Sequence, residues 1–230
     1  MADSATAPAR RADLAEVGAQ ASICERCPHL VATRTQVVFG AGDPDADLLF
    51  VGEAPGADED TQGVPFVGRS GRLLSELLAG IGLSRDDVFI ANVLKCRPPE
   101  NRNPSAEEIA HCAPWLMRQL ELIEPIVVVT LGNFATRLLR EDTAGITKVR
   151  GAAEIRTIGP RTVRLLPVLH PAAALYTPSN RALLEADFGL IPDLIAAGPP
   201  PQEQAVAEPE PEAPSVVEPA EDSGDQLGLF

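Results

Sequence analysis

Three short runs of almost unbroken apolar residues, Ala46–Val51 (ADLLFV), Val88–Leu94 (VFIANVL) and Ile126–Leu131 (IVVVTL), constrain this chain more than any other feature. A strand with one wet face alternates apolar and polar residues, so a run that is apolar throughout must be covered on both faces. Segments of helical period lie between the runs. Ser70 can cap a helix with Leu73, Leu74, Leu77, Leu78 and Ile81 on one face and Gly82 at its end. Ser105-Ala-Glu-Glu108 has capping-box spacing for a helix running to about Glu124, which Pro125 stops. A short helix follows Gly132, residues 153–158 and 162–169 read as two more strands, and a last helix covers about 180–197. Strands alternating with helices give the expected fold class: α/β, three layers α/β/α around a central, mainly parallel sheet.

Sheets of this kind bind ligands outside the carboxyl ends of their strands. The unusual polar segments fall there. Gly52-Glu53 follows the first apolar run, Asn92 to Lys95 lies at the second, and His170 follows the last strand. The loop from Gly52 to Arg69 opens with Gly52-Glu-Ala-Pro-Gly56, a tight turn that brings backbone and a carboxylate close to a ligand. Its Asp58-Glu59-Asp60 reads as a solvated charge run. Phe66, set between glycines in Gly63-Val-Pro-Phe-Val-Gly68, can serve as a core anchor or as a stacking platform for a flat ring. Asn92 interrupts an apolar strand, and a buried amide needs partners for both its ends. It can bond backbone, or pair with a base edge that carries adjacent N–H and C=O groups.

The chain carries 19 basic and 33 acidic residues, a net charge of −14. Eight of the carboxylates fall in residues 199–230, which contain no Lys or Arg; the remainder holds 25 acidic against 19 basic groups. That balance excludes a protein basic over its whole surface and leaves room for a local basic groove. Arg69, Arg72, Lys95, Arg97, Arg102, Lys148 and Arg150 are candidates for its rim, although each taken alone reads as a solvated charge. No apolar run approaches the ~20 residues of a membrane span, and the N-terminus lacks an export signal's apolar segment. The expectation is a cytoplasmic chain with no membrane partner, and nothing calls for more than a monomer. Residues 1–12 are expected to be disordered, residues 13–198 to form one domain beginning with a short helix at 13–21, and residues 199–230 to be a disordered acidic, Pro-rich tail. The tail ends in a sudden apolar cluster, Gln226-Leu227-Gly228-Leu229-Phe230.

Four cysteines remain: Cys24-Glu-Arg-Cys27, Cys96 and Cys112. In a reducing compartment they argue for ligation rather than disulfides. Four small buried side chains is a poor alternative, because Cys24 and Cys27 flank Glu25-Arg26 in a polar stretch. Four thiolates suit Zn²⁺ or a [4Fe–4S] cluster, and spacing does not choose between them.

Gly52–Gly56, Gly63–Gly71 (GVPFVGRSG), Asn92–Pro104 (NVLKCRPPENRNP) and His170-Pro171, with the four cysteines in order, resemble the type-4, iron–sulfur uracil-DNA glycosylases over about Ile23 to Pro171. The resemblance implies the fold of the uracil-DNA glycosylase superfamily. It also implies base excision repair, with uracil flipped out of DNA and its N-glycosidic bond hydrolysed to leave an abasic site. It assigns a structural [4Fe–4S] cluster to Cys24, Cys27, Cys96 and Cys112. Phe66 would stack on uracil, Asn92 read its polar edge, and backbone at Gly52, Glu53 and Ala54 contact the base. His170 would bond the carbonyl oxygen that becomes negative as the bond breaks. Glu53 would stabilise the sugar cation or position water, with Glu59 second. Leu175 or Tyr176 can wedge into the vacated stack or serve the core. The last five residues resemble the peptide that docks bacterial repair proteins on the sliding clamp, with Gln226, Leu227, Leu229 and Phe230 as contacts. Two competing readings are a non-catalytic nucleic-acid-binding Fe–S module and a redox carrier.

Overall fold

A computed structural model describes residues 7–202. Ten helices and six strands follow one another along this stretch: α1 (Ala7–Ser22), α2 (Pro28–Val31), β1 (Ala41–Gly42), β2 (Leu48–Gly52), α3 (Ala57–Gln62), α4 (Arg69–Gly80), β3 (Phe89–Asn92), α5 (Ala106–Ile123), β4 (Val127–Leu131), α6 (Asn133–Arg140), α7 (Ile146–Val149), β5 (Glu154–Ile158), β6 (Arg161–Val168), α8 (Ala172–Tyr176), α9 (Asn180–Phe188) and α10 (Ile191–Ala196). The six strands form one sheet in the order β1-β3-β2-β4-β6-β5. The inner four run parallel, and the two edge strands are antiparallel to their neighbours.

The apolar runs are the buried strands, and their side chains alternate between two cores. Leu49, Val51, Val128 and Leu165 pack beneath α1, α5 and α6, against Leu14, Val17, Leu116, Leu120, Ala135 and Leu139. Leu48, Phe50, Ile90, Val129 and Leu166 face the other way, onto Leu74, Leu77, Leu78, Leu184, Phe188 and Ile191 of α4, α9 and α10. The three-layer α/β/α arrangement expected from the sequence is therefore the fold. No helix among the described residues is long and apolar enough to cross a membrane.

Four local expectations need correction. The expected disordered start at residues 1–12 gives way to a helix from Ala7, because Arg10 and Arg11 reach the β1–β2 turn: Arg11 bonds Asp43 and Asp45, and Arg10 bonds Asp45. The loop from Gly52 to Arg69 contains α3, whose Glu59 accepts from the Gly56 N–H at its N-terminus, while Gly63 ends it in the left-handed conformation (φ 72°). Helix α4 begins after Gly68 rather than at a Ser70 cap, because the Gly68 N–H approaches the Glu59 carboxylate. The tail expected from residue 199 is held as far as Gln202. There β6 extends beyond its pairing with β4, and the Gln202 side-chain amide takes up both backbone groups of Thr162. Residues 1–6 and 203–230, including Gln226, Leu227, Leu229 and Phe230, lie outside the described residues.

The 99–105 segment is pinned by one carboxylate. Glu108 is fully buried, closes the capping box with Ser105, and takes a two-pronged bond from Arg102 at 2.6 and 2.9 Å. His29 meets it at 2.6 Å. Hydrogen bonding to Arg102, opposed by burial and joined by Ser105 and His29, pulls the carboxyl down to about 2. Glu108→Ala strands three polar groups and is expected to destabilise the fold by about 3 kcal/mol, a fall of about 6–12 °C in melting temperature. Thermal unfolding at pH 7 measures it. The deficit should shrink as pH falls from about 4.5 toward 2, where the native carboxylate itself takes up a proton.

Candidate functional site

Register brings the site together. In the parallel pair β2–β3, Gly52 stands beside Asn92. The chain beyond β3 stays bound to the chain beyond β2, through Val93 N–H to the Gly52 carbonyl (2.9 Å) and Leu94 N–H to the Glu53 carbonyl (3.0 Å). A side chain at Gly52 would collide with the Asn92 amide oxygen and the Phe66 ring, so only glycine lets the three meet. Asn92 is 2% exposed, and its Oδ1 is buried without a hydrogen-bond partner. Such an orphan acceptor is costly unless a ligand donates to it.

Phe66 sits in the left-handed backbone region (φ 55°), a conformation that must be held from outside. The Arg85 guanidinium bonds the Pro65 and Phe66 carbonyls at 2.7 and 3.0 Å, and Gly71 lies so close that any Cβ there would strike the Phe66 backbone. The Phe66 ring stacks on His170, centroids 5.6 Å apart and planes 28° apart. Gly132, at the end of β4, packs under the His170 side chain.

His170 has its tautomer set by backbone. The Ala172 N–H donates to Nδ1 at 3.1 Å, so Nδ1 carries the lone pair and the proton sits on Nε2. Burial pulls the imidazolium down to about 4 against the opposing charge of Glu59, so the ring is neutral at pH 7. Glu53 is half-buried on the same cleft, and burial raises its carboxyl above the ordinary range.

These residues line one cleft of about 560 Å³, with Ala54, Pro55, Gly56 and Glu59 on one wall. Gly52 is buried and does not line the cleft; it lies against Asn92 and Phe66, which do. Glu59, read first as part of a solvated run and as a second catalytic acid, has a different setting. One oxygen accepts from Val67 and Gly68 N–H groups and the other from Gly56 N–H, so it braces the Phe66 loop. Its neighbour Asp60 is 3% exposed and accepts from the Thr35 N–H with both oxygens at 3.0 Å. Only Asp58 of the three fits a solvated face.

Sequence reasoning missed the far wall's Pro98, Asn101 and Asn103, which line the cleft together with Arg102 and Tyr176, both already candidates. Asn101 follows Glu100 in the left-handed region, and its Oδ1 accepts from Arg97 Nε at 2.8 Å. Two asparagines in a Pro-rich loop were the available signal, since Asn tolerates that backbone.

Of the rim cations, Lys95 is 1% exposed and lies inside the protein. Arg150 is bound to Asp187 at 2.6 and 3.0 Å, and Arg102 to Glu108. Arg69, Arg72 and Lys148 remain exposed. Arg69 and Arg72 line a second groove with Arg181, which joins the cleft past Leu175 and Tyr176. Leu175 packs on the α4 core, whereas Tyr176 is 87% exposed.

The four cysteines share one small cavity behind the cleft, with Leu30, Arg34, Leu94 and His111. Arg34 donates to Cys96 Sγ at 3.1 Å and the Lys95 N–H to Cys112 Sγ at 3.2 Å. His111 Nδ1 lies 3.7 Å from Cys27 Sγ. Burial raises the thiols of Cys27 and Cys96 and pushes Cys112 to about 11. Among the described residues no three such side chains close to the spacing of a single metal ion.

Comparison with known proteins agrees with this geometry. The sequence model of the Uracil DNA glycosylase superfamily matches residues 39–188. The type-4 uracil-DNA glycosylase of Sulfurisphaera tokodaii is 47% identical over 74% of this chain and 80% of its own length. That of Archaeoglobus fulgidus is 46% identical over 77% of this chain and 90% of its own length. For the Thermotoga maritima type-4 uracil-DNA glycosylase the figures are 48%, 68% and 80%. The chain belongs to the uracil DNA glycosylase superfamily and, within it, to the type-4 group.

Proposed function

We propose that this chain excises uracil from DNA, hydrolysing the N-glycosidic bond and leaving an abasic site. The observation that carries the chemistry is the neutral His170, its proton fixed on Nε2, in a cleft that also holds the unpartnered Asn92 oxygen and the Phe66 ring. A base extruded from the stack slides over Phe66. Asn92 Oδ1 takes the N3–H of uracil while its NH₂ donates to the adjacent carbonyl. The bond from N1 to C1′ then breaks with its electron pair passing to the base, whose charge spreads onto the O2 carbonyl. Nε2–H of His170 donates there. A preplaced donor of this kind contributes about 3–4 kcal/mol of transition-state stabilisation. Because the ring is neutral it need not give up its proton: uracil leaves as the anion. The sugar carries the matching positive charge, which the Glu53 carboxylate offsets. Water adds at C1′, and its proton passes to Glu53 or solvent.

The flanking strand runs from the cleft past Tyr176 into the groove of Arg69 and Arg72, beside Arg181, which is bound to Glu76 and Glu185, with Tyr176 filling the place of the extruded base. The four cysteines around one small cavity are a donor set for a [4Fe–4S] cluster, the group that the type-4 resemblance implies. Cys24, Cys27, Cys96 and Cys112 would hold it, and its contribution is to brace the loops that carry the far wall. The terminal Gln226, Leu227, Leu229 and Phe230, at the end of an acidic tether, are proposed to dock on a sliding clamp and raise the local enzyme concentration.

Release of base from an oligonucleotide with one uracil, against a thymine control, tests the reading. Uracil-specific multiple turnover is expected, falling at least 100-fold in Asn92→Ala and in His170→Ala. No release by folded, cluster-loaded protein that still binds the uracil strand would instead establish a binding module. Single-turnover rates should decline on the acid side as Glu53, its carboxyl raised above the ordinary range by burial, takes up a proton, with the decline abolished in Glu53→Gln. Purified protein should show a broad absorption near ~400 nm that Cys112→Ser removes. Removing residues 226–230 should leave release from free oligonucleotides unchanged and abolish any stimulation by the clamp.

A further inference from the structure

The most unusual side chain outside the cleft is Lys95. It is among the largest fully buried residues, at 1% exposure, although an ammonium group is rarely buried without a purpose that fixes its position. Its chain folds back along its own segment so that Nζ donates to the Asn92 carbonyl at 2.8 Å, three residues upstream. A second bond, at 2.6 Å, goes to Oε1 of Gln119 on α5, itself fully buried. Gln119 is oriented in turn by its Nε2–H, which donates to the Phe39 carbonyl at 2.9 Å, and the ammonium lies 5.8 Å from the centre of the Phe39 ring. Asn92 and Gln119 are buried and Phe39 is partly so, and two hydrogen bonds hold the ammonium in place.

The backbone of the same residue faces the cysteine cavity. Its N–H donates to Cys112 Sγ, and its carbonyl accepts from Val38 at 2.7 Å. Residues 92 to 95 thus touch the cleft through Asn92, the end of β2 through Val93 and Leu94, and the cysteine cavity through Lys95. The Asn92 carbonyl lies at the last residue of β3, where the strand ends and its backbone is no longer held by the ladder alone.

We infer that Lys95, oriented by Gln119, is a positioning residue that fixes the Asn92 peptide and so aims the base-reading amide, joining the cysteine-bearing lobe to base recognition. This rests on the uracil-release reading. Lys95 never touches the substrate; it acts through Asn92. The consequence is a separation of two kinds of affinity. Grip on DNA, which comes from Arg69, Arg72 and the far wall, does not pass through Lys95, whereas grip on the base does.

The test uses the full-length, cluster-loaded protein and two variants. Lys95→Met keeps the length of the chain but strands the Gln119 oxygen; Lys95→Met/Gln119→Leu removes both buried polar partners and keeps the volume. The readouts are melting temperature, absorbance near ~400 nm, affinity for an oligonucleotide with an abasic-site analogue, inhibition by free uracil, and the release rate. In the double variant, melting and absorbance should stay near wild type and abasic-DNA affinity should stay within about twofold, while inhibition by free uracil weakens at least tenfold and kcat falls at least tenfold. A folded, loaded double variant that free uracil inhibits as well as wild type would overturn the inference. So would loss of folding or of the cluster in both variants, which would make Lys95 a structural residue only. Wild-type protein that neither binds free uracil nor releases it would refute the uracil reading itself, and the inference with it.

Discussion

The site depends on the missing side chain at Gly52. Two parallel strands end side by side, and at that point the register sets Gly52 against Asn92. The space a Cβ would occupy is taken by the Asn92 amide oxygen and the edge of Phe66. Everything else in the cleft is arranged around that contact. Phe66 is strained to reach it, Arg85 and Gly71 hold the strained backbone, and His170 stacks on the ring from the next strand but one. The arrangement is a preorganised one, in which donors and a platform are already placed before the base arrives.

Rigidity in the surrounding loops comes from carboxylates that the backbone consumes. Adjacent residues on one short helix divide the work: Glu59 holds the Phe66 loop through three N–H groups, and Asp60 holds Thr35, next to the arginine that bonds Cys96. Glu108 does the same for the far wall through Arg102. The cysteine-bearing lobe is therefore tied to the cleft at two places, Asp60 to Thr35 and Glu108 to Arg102 and His29, and a group bound between its sulfurs would stabilise both at once. That would be a structural use of the proposed cluster, which fits the proposed chemistry of hydrogen bonds and one carboxylate.

Much of this was legible from residues alone. The apolar runs betrayed buried parallel strands, and their alternation with helices placed Gly52, Asn92 and His170 at the carboxyl ends of those strands. What escaped was whatever depends on where a side chain turns. Asp58-Glu59-Asp60 looks solvated because sequence does not show three backbone N–H groups folding over Glu59. Lys95 looks like a rim cation because its loop is polar, yet its chain turns inward along β3. Arg150 likewise spends its charge on Asp187, 37 residues away. The helical start at Ala7 was hidden because alanines and arginines carry little amphipathic pattern there, and the anchoring aspartates lie far along the chain.

The most direct test of the account is the protonation state of His170 with uracil bound. The protein has three histidines, so nitrogen-15 NMR of labelled protein with the His29 and His111 signals removed one at a time assigns its ring. The account predicts a neutral imidazole with its proton on Nε2 at pH 7, unchanged down to about pH 5. A cationic ring at pH 7, or a neutral ring with its proton on Nδ1, would contradict it, because either would mean that burial and the Ala172 amide do not set the donor that meets the leaving base.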